Sequence, residues 1–395
     1  MDRKIEKKQV KEKAGKNRSD YRRVNRGLVL KMVATGQCST RADLVRGTGL
    51  SKMAISNIVS ELIRQNLLVE TEAGRVEELG RPPSRLALSP DAPKVAGLRI
   101  DRSRCEAVLC GLDLTVLRRE SVTMENMSGE ELVHLVYQLL DMVLFERSDV
   151  VAIGVASIGP ISVQLGKILK PFYFYNIHDM EIVRIVEERY HLPVFFDHDN
   201  QSAILAESLY GNGRGYNDVL FVGVSEGVGC GILSDGQLYC NRRGLPPELG
   251  HISVDYKGHL CACGRRGCVE TYLRTPELLK KMRCCTGKYY TYKQFCALKE
   301  NKNVENILTE AVHRLGEAIV STVNILNSEL VLLGNDSVYW PDCYLQMLEE
   351  IINELRFVDW DEHILVKRAY FLHDAPLMGA ACNAISPIFS GKLLF

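Results

Sequence analysis

The first ninety residues alternate between helical apolar patterns and short polar breaks. Apolar residues recur at helical spacing over residues 24–33, and the first predicted helix ends at Gly36. Thr40, with an acidic residue three positions later, is typical of the start of a second helix, which stops at 47–49. Ser51 is expected to cap a third helix that buries one apolar stripe. The pattern therefore predicts three short helices, the last two joined by a tight glycine-containing turn.

Small polar and basic side chains occupy the exposed face of the third predicted helix. These residues are Ser51, Lys52, Ser56, Asn57 and Ser60. Such a helix suits a major groove roughly 12 Å wide. Two short strand-like runs, 67–70 and 84–88, flank Gly80-Arg81-Pro82-Pro83, which places Arg81 on a stiff segment suited to a phosphate or minor-groove contact. We interpret this region as a winged helix-turn-helix; the alternative is a small helical protein-interaction domain with a solvated basic face.

From about residue 94 the pattern changes to apolar runs that alternate with amphipathic helices. The predicted strands are 95–100, 105–109, 150–155, 194–196, 218–223, 227–233, 329–334 and 364–367. The predicted helices are 129–146, 179–190, 200–210, 304–326 and 343–356. Strands that alternate with helices in this way indicate an α/β body.

The charges divide at the same place. The 395 residues hold 49 Lys and Arg against 49 Asp and Glu, but residues 1–90 hold 19 against 10, and residues 91–395 hold 30 against 39. A basic front of net charge +9 precedes an acidic body of −9. The predicted domains are a flexible basic arm (1–18), the winged helix-turn-helix (19–90) and the body (91–395).

Composition narrows the compartment and the metal chemistry. No run approaches the ~18 apolar residues of a membrane span. The Lys-rich start has no apolar segment behind it, as a secretory signal would. We therefore expect a cytoplasmic protein without membrane contact. The thirteen cysteines are then expected to be reduced, and any cluster of them favours metal binding over disulfides.

One cysteine cluster has the spacing of a metal site. His251 is followed by Cys261, Cys263 and Cys268, with glycines at 264 and 267 that allow the chain to fold back. Four nitrogen and sulfur ligands at tetrahedral corners suit zinc and leave no open position, so the predicted Zn²⁺ is structural. The alternative is three reduced thiols in a loop beside a core histidine.

Carboxylates surround this cluster. Asp199 follows a predicted strand, Glu248 precedes His251 by three residues, and Glu270 follows Cys268 by two. Carboxylates and imidazoles can hold the vicinal hydroxyls of a neutral sugar, and a metal loop would hold such groups in place. Each acid taken alone is typical of a protein surface.

The spacing from Glu248 to Glu270 resembles the signature of the ROK family (repressor, open reading frame, kinase). The resemblance covers nearly all of 20–390. It implies an actin-like, hexokinase-like ATPase fold of two lobes, about 91–198 plus a C-terminal segment, and about 199–370. It also implies zinc at His251, Cys261, Cys263 and Cys268, and sugar contacts at Glu248, His251 and Glu270.

In the sugar kinases of that family an Asn-Asp pair follows a strand, and its Asp is the general base. Here the pair reads His198-Asp199, so we assign both residues to sugar binding, with Asp199 as a vestigial base. Because His198 stands where the kinases have Asn, the pair does not specify which sugar is preferred.

The nucleotide side departs further from the kinases of the family. Their Asp-x-Gly-Gly-Thr phosphate loop aligns with a segment that contains Arg99, Asp101 and Arg102. The second phosphate loop contains Glu226, and the late Gly-Gly reads Gly334-Asn335. Added negative charge and lost glycines oppose phosphate binding. We therefore expect no ATP and no enzymatic activity.

Three hypotheses follow. The first is a sugar-responsive repressor similar to the xylose repressors, which binds operator DNA as a homodimer and a monosaccharide effector in its body; a tetramer is left open. The second is an ATP-dependent sugar kinase with an appended DNA-binding domain. The third is a ligand-independent repressor, which the His198 departure keeps open.

Overall fold

The computed structural model describes residues 18–71, 84–239, 244–298, 301–357 and 362–393. Nearly all of the predicted arm and the wing residue Arg81 lie outside these ranges; Arg18, the last residue assigned to the arm, begins the first helix. The described chain forms two compact units. One contains the segments up to Pro93, 111–113 and the residues from Ile385 onward, and the other contains most of 94–384.

The first unit contains three helices and a two-stranded sheet. The elements are α1 Arg18–Ala34, α2 Arg41–Thr48, α3 Lys52–Arg64, β1 Leu68–Thr71 and β2 Arg85–Leu88. Thr40 caps α2 by accepting a hydrogen bond from the amide of Asp43, and Ser51 caps α3 by accepting one from the amide of Ala54. Gly49, in the left-handed conformation, ends α2 and makes the tight turn. The two strands pair antiparallel.

The end of the chain packs against α1 within the same unit. The last helix, α12 (Ala375–Phe389), has its final residues here. A Cβ on Gly27 would lie 2.3 Å from the carbonyl oxygen of Phe389, and a Cβ on Gly391 would lie 2.7 Å from the carbonyl oxygen of Arg23. Only glycine allows the two backbones to approach this closely.

The first sheet of the second unit has five strands in the order β5-β4-β3-β6-β9. The strands are β3 Lys94–Ile100, β4 Arg104–Cys110, β5 Val116–Thr123, β6 Val150–Ser157 and β9 Val194–His198. β3, β4 and β5 form an antiparallel meander, while β3, β6 and β9 are parallel. Helices α4 (Gly129–Leu144) and α5 (Ile182–Tyr190) lie between these strands in sequence, and their apolar residues join the core of this sheet. A small hairpin of β7 (Ile161–Ser162) and β8 (Lys167–Ile168) follows β6.

The second sheet also has five strands, in the order β12-β11-β10-β13-β14. The strands are β10 Val219–Val224, β11 Val228–Ser234, β12 Gln237–Leu238, β13 Leu330–Asn335 and β14 Leu365–Arg368. The helices are α6 Asp199–Tyr210, α7 Glu270–Leu273, α8 Thr275–Thr286, α9 Tyr292–Cys296, α10 Lys302–Leu326 and α11 Asp342–Leu355. β10, β13 and β14 are parallel, whereas β11 and β12 return antiparallel. The two sheets therefore repeat one plan: three parallel strands and an antiparallel hairpin.

Helix α12 lies directly on the first sheet. A Cβ on Gly154 of β6 would lie 1.8 Å from the carbonyl oxygen of Ala380, and one on Gly97 of β3 would lie 2.7 Å from the amide nitrogen of Ala381. Small residues on both sides thus bring helix and strand backbones into contact. The hydrophobic pattern did not predict this helix, which is apolar all round and contains Pro387, and did not predict β5, whose residues alternate between exposed and half-buried.

The mixed α/β body agrees with the predicted fold class. Along the described residues, no helix combines the length and the apolar character that crossing a membrane would require.

We expect Gly154→Ala to destabilise the body, because its methyl group would overlap the Ala380 carbonyl. Overpacking of this kind costs about 1–3 kcal/mol or more. Gly129→Ala is the matched control, since a Cβ there meets only the Met180 side chain at 3.9 Å. Thermal unfolding followed by circular dichroism should show a lower midpoint for Gly154→Ala alone; equal midpoints would contradict the close contact.

Candidate functional site

Four potential metal ligands converge in the second unit. The ligand atoms of His251, Cys261, Cys263 and Cys268 all lie within 4.8 Å of one another. The Cys261 sulfur lies 3.6 Å from Nδ1 of His251, and the Cys263 sulfur lies 3.6 Å from that of Cys268. Ligands on a tetrahedral metal with bonds of about 2.0–2.3 Å stand roughly 3.3–3.8 Å apart. The donor set and its spacing therefore fit one metal ion.

Backbone geometry shapes the loop that carries the cysteines. Gly264 and Gly267 have φ of +88° and +66°, and a Cβ on Gly267 would lie 1.7 Å from the Asp255 carbonyl oxygen. The amide of Cys261 donates to the Arg265 carbonyl at 2.7 Å, which closes the turn. The Arg265 side chain also donates to the carbonyl of His251. The two glycines therefore permit the reversal that brings Cys268 back to Cys261.

The three thiols differ in acidity. Burial raises the pKa of Cys261, and burial together with the other thiols raises that of Cys268 to about 12. Burial also opposes ionisation of Cys263, but hydrogen bonds from the backbone of Arg265 and from neighbouring thiols lower its pKa to about 7. Because a metal binds thiolates, metal binding at this cluster would release protons.

One pocket of about 270 Å³ gathers the predicted ligand-binding residues. His198, Asp199, Glu248, His251 and Glu270 all line it. Its size is close to the lower end of small-molecule sites, roughly 300–1,000 Å³. The acids come from different elements, since Glu248 precedes a short 3₁₀ turn and Glu270 begins α7. The metal cluster lies between them in sequence, so the loop that it closes also positions both acids.

The buried end of the pocket is polar. His198 ends β9 and Asp199 begins α6, with Nδ1 of the imidazole 3.2 Å from a carboxylate oxygen. Asp199 also accepts hydrogen bonds from Asn200, at 2.7 Å from its amide and 2.8 Å from its side chain. Oδ1 of Asn200 and Oδ1 of Asn335 have no hydrogen-bond partner among the described residues, and the 3.2 Å contact of His198 Nδ1 with Asp199 does not have hydrogen-bond geometry. Buried polar atoms require partners, so this end suits a ligand rich in hydroxyl groups.

Burial also affects one of the acids. It raises the pKa of Glu248, against the opposing effects of His198 and His251. A carboxyl group that is desolvated in a pocket is typical of functional sites.

The predicted departure from a phosphate loop lies at the turn between β3 and β4. Arg99 is buried and contacts the carboxylates of Asp101 at 2.7 Å and Glu106 at 3.4 Å. Arg119 continues the network through Glu106 at 3.0 Å and Asp374 at 2.7 Å. Burial alone would lower the pKa of Arg99, but the charges of Asp101, Asp199 and Glu106 raise it. The carboxylate of Asp101, which was expected to repel phosphate, is thus largely neutralised by Arg99.

The remaining described residues that the sequence analysis singled out lie near the pocket or at α3. Arg102 lines the pocket, whereas Glu226 lies outside its lining. The candidate DNA contacts Ser51, Lys52, Ser56, Asn57 and Ser60 are exposed on or beside α3, whose other face buries Ile55, Ile58, Val59 and Leu62. Met53, which the sequence pattern did not single out, is also exposed on α3.

Sequence reasoning missed some residues that line the pocket. These include Asn200, Gly159, Phe172, Gly223 and Gly229; Asn335, which the sequence analysis assigned to the nucleotide side, also lines this pocket. Asn200 directly follows Asp199, which is the one local signal for it. Phe172 belongs to a loop whose contact with the pocket is created only by folding.

Comparisons with known proteins identify the family. The ROK family profile matches residues 95–386. The xylose repressor of Caldicellulosiruptor bescii is 24% identical over 395 aligned positions, which cover 95% of this chain and 98% of the repressor.

Solved structures extend the comparison to the fold. A ROK family transcriptional regulator described as a homologue of the E. coli MLC protein superposes with a TM-score of 0.79 at 23% identity, covering 94% of this chain and 98% of that one. The ROK hexokinase of Thermus thermophilus superposes with a TM-score of 0.63 at 26% identity, covering 74% of this chain and 97% of the hexokinase.

We expect Arg99→Met to destabilise the body by about 3–5 kcal/mol, because it leaves buried carboxylates without their cation. Arg104→Met is the matched control: its guanidinium is more than half exposed and lies 3.9 Å from Glu106, so about 0–1 kcal/mol is expected. Chemical denaturation of both variants measures the difference. If Arg99→Met lowers the free energy of unfolding by no more than the ~1 kcal/mol expected for Arg104→Met, the Arg99 network contributes little to stability.

Proposed function

The chain belongs to the ROK family, and from this premise we propose that it is a transcriptional repressor that responds to a sugar. The first unit binds operator DNA, and the body binds a monosaccharide without phosphorylating it. Two relatives named as repressors match 94–95% of the chain, including the part ahead of the family profile. The proposed division is the one predicted above: an arm, a winged helix-turn-helix and a two-lobed body.

One observation supports the sugar-sensing part above all. A single pocket holds His198, Asp199, Glu248 and Glu270, while Arg99 fills the phosphate-loop position with a paired guanidinium. The first set suits a polyhydroxyl ligand. In the predicted alignment Arg99 takes the place of the first Asp of that loop, and Asp101 and Arg102 take the places of the glycines that would let backbone amides approach phosphate groups. Sugar binding without phosphoryl transfer is consistent with both.

The DNA-binding part is supported by shape and charge. α2 and α3 are joined by a tight glycine turn, and the exposed face of α3 carries Lys52, Ser56 and Asn57. The net charge of +9 over residues 1–90 would attract the phosphate backbone and make affinity fall with salt. We propose a homodimer, because two recognition helices on half-sites about one helical turn apart match a two-fold operator.

Regulation requires that the sugar distinguish two states of the protein. A ligand with equal affinity for the DNA-binding and the non-binding state shifts neither population. We propose that the monosaccharide binds the non-binding state more tightly and so induces transcription. Zinc at the four-ligand cluster would be structural, because its ligand set leaves no open coordination position.

The second candidate is an ATP-dependent sugar kinase. The fold similarity to the Thermus hexokinase and the presence of Asp199 in the pocket favour it. The Arg99 network argues against it, because it places charged side chains where a phosphate loop would need glycines.

We expect about one zinc ion per chain, measured by inductively coupled plasma mass spectrometry after dialysis. Cys263→Ser should lose the ion and lower the thermal midpoint, because metal binding and folding of the loop are coupled. Cys343→Ser, which changes an exposed cysteine outside the cluster, is the control. A wild-type protein that is metal-free and equally stable would refute the zinc site.

We expect one monosaccharide to weaken operator binding at least tenfold. The operator is first selected from a random duplex library, and affinity is then measured by fluorescence anisotropy with xylose, glucose and N-acetylglucosamine. Glu248→Gln should abolish the sugar effect and keep operator affinity. Asn57→Ala should weaken operator binding by about 1–3 kcal/mol, the value of a base contact, and keep sugar binding.

Two results would contradict this proposal. If neither these sugars nor their phosphorylated or carboxylate forms change operator affinity or thermal stability, the body is not a sugar sensor and the ligand-independent repressor is favoured. If ADP release occurs with any of these sugars and ATP, and Asp199→Asn abolishes it, the kinase hypothesis is correct.

A further inference from the structure

Arg102 places a positive charge in the pocket that the proposed sugar site does not need. We infer that the effector is a monosaccharide with an anionic substituent, a phosphate ester or a carboxylate, and that Arg102 binds this substituent. The inference rests on the proposed function, since it names the ligand class of the same pocket.

The position of Arg102 is set by the turn between β3 and β4 and by one anchoring bond. Its Nε donates a hydrogen bond to the Phe172 carbonyl at 3.0 Å. A Cβ on Gly227 would lie 3.1 Å from Nη1 of Arg102 and 3.3 Å from Oε2 of Glu270. Both groups therefore lie on the side of Gly227 that a Cβ would occupy, where the guanidinium approaches the Glu270 carboxylate without forming an ion pair with it.

Arg102 differs in its ion pairing from Arg99 and Arg119. Arg99 and Arg119 are each paired with two carboxylates. Arg102 is partly buried, yet no ion pair or Nη hydrogen bond joins it to another residue in the described part of the chain. A guanidinium remains charged at all physiological pH values, so its partner is expected to come from the ligand.

A second guanidinium approaches the same loop. Arg274 lies 4.1 Å from the ring centroid of Tyr173, the neighbour of Phe172. Its buried Nε has no hydrogen-bond partner among the residues that the structure describes. Arg274 does not line the pocket itself, but it adds positive charge beside the loop that Arg102 anchors.

The pocket thus combines carboxylates, which accept hydrogen bonds, with a guanidinium, which donates them. Asp199, Glu248 and Glu270 accept hydrogen bonds, as the hydroxyl groups of a sugar ring require. A guanidinium only donates hydrogen bonds, and its planar fork matches the paired oxygens of phosphate and carboxylate groups. An anion elsewhere in the pocket would meet the acids and be repelled. The charged substituent must therefore point toward Arg102, which would fix the orientation of the ring.

The test compares neutral and anionic forms of one sugar by isothermal titration calorimetry of the full chain. The series are glucose, glucose 6-phosphate and glucuronate, and N-acetylglucosamine with its 6-phosphate. We expect an anionic member to bind at least tenfold more tightly than its neutral parent, which corresponds to about 1.4 kcal/mol. The preference should shrink as salt rises. Within the glucose series, the affinity of glucose 6-phosphate compared with that of glucuronate shows whether the pocket prefers a phosphate or a carboxylate substituent.

Variants assign the preference to Arg102. Arg102→Gln should reduce the ratio of anionic to neutral affinity to less than about threefold, and Arg102→Lys should recover part of it. Arg104→Gln, which changes an exposed arginine outside the pocket, should retain the full preference. The ratio of the two affinities is a readout that a general loss of folding would not change selectively.

Three outcomes would overturn the inference. Neutral and anionic members could bind equally well. The preference could survive in Arg102→Gln. Arg102→Gln could weaken both members equally, which would mean that Arg102 only tethers the Phe172 loop. Failure of the proposed function is distinct, because then no member of either series would bind or change operator affinity.

Discussion

The convergence of His251, Cys261, Cys263 and Cys268 is the constraint on which the pocket depends. Glu248 precedes this cluster by three residues and Glu270 follows it by two, so the loop closed by the four side chains sets the distance between the acids. The loop has little apolar core of its own, and its reversal passes through Gly267, where a Cβ would overlap a carbonyl oxygen. A bound metal would replace the missing core with four short bonds.

Ion pairs stabilise the segment where β3 turns into β4. Residues 99–104, from the end of β3 to the start of β4, include three arginines and an aspartate, and the fold gives these arginines different surroundings. Arg99 is buried in a carboxylate network that extends to Asp374 at the start of α12. Arg102 turns toward the pocket instead. The segment that the family resemblance aligns with a phosphate loop thus carries one buried, paired arginine and one arginine that lines the pocket.

Much of the fold follows from local pattern. Helices α2 and α3 begin at the predicted capping residues, because Thr40 and Ser51 satisfy amide groups that a helix leaves open. The buried parallel strands read as apolar runs and were predicted within a few residues of their bounds. α12 and β5 were not, because their roles arise from contacts with distant segments: a helix covered on several sides has no amphipathic signature, and an edge strand has no continuous apolar run.

By itself the sequence determined the ROK membership, the α/β class and the four metal-ligand candidates, because these depend on spacing along the chain. Tertiary structure decided how charges and polar groups pair. Asp101 was predicted to repel phosphate, and only folding brings Arg99 against it. Asn200, Asn335 and Phe172 enter the pocket from segments far apart in sequence. Electrostatic interactions depend on distance and burial in three dimensions, and neither can be obtained from the order of residues.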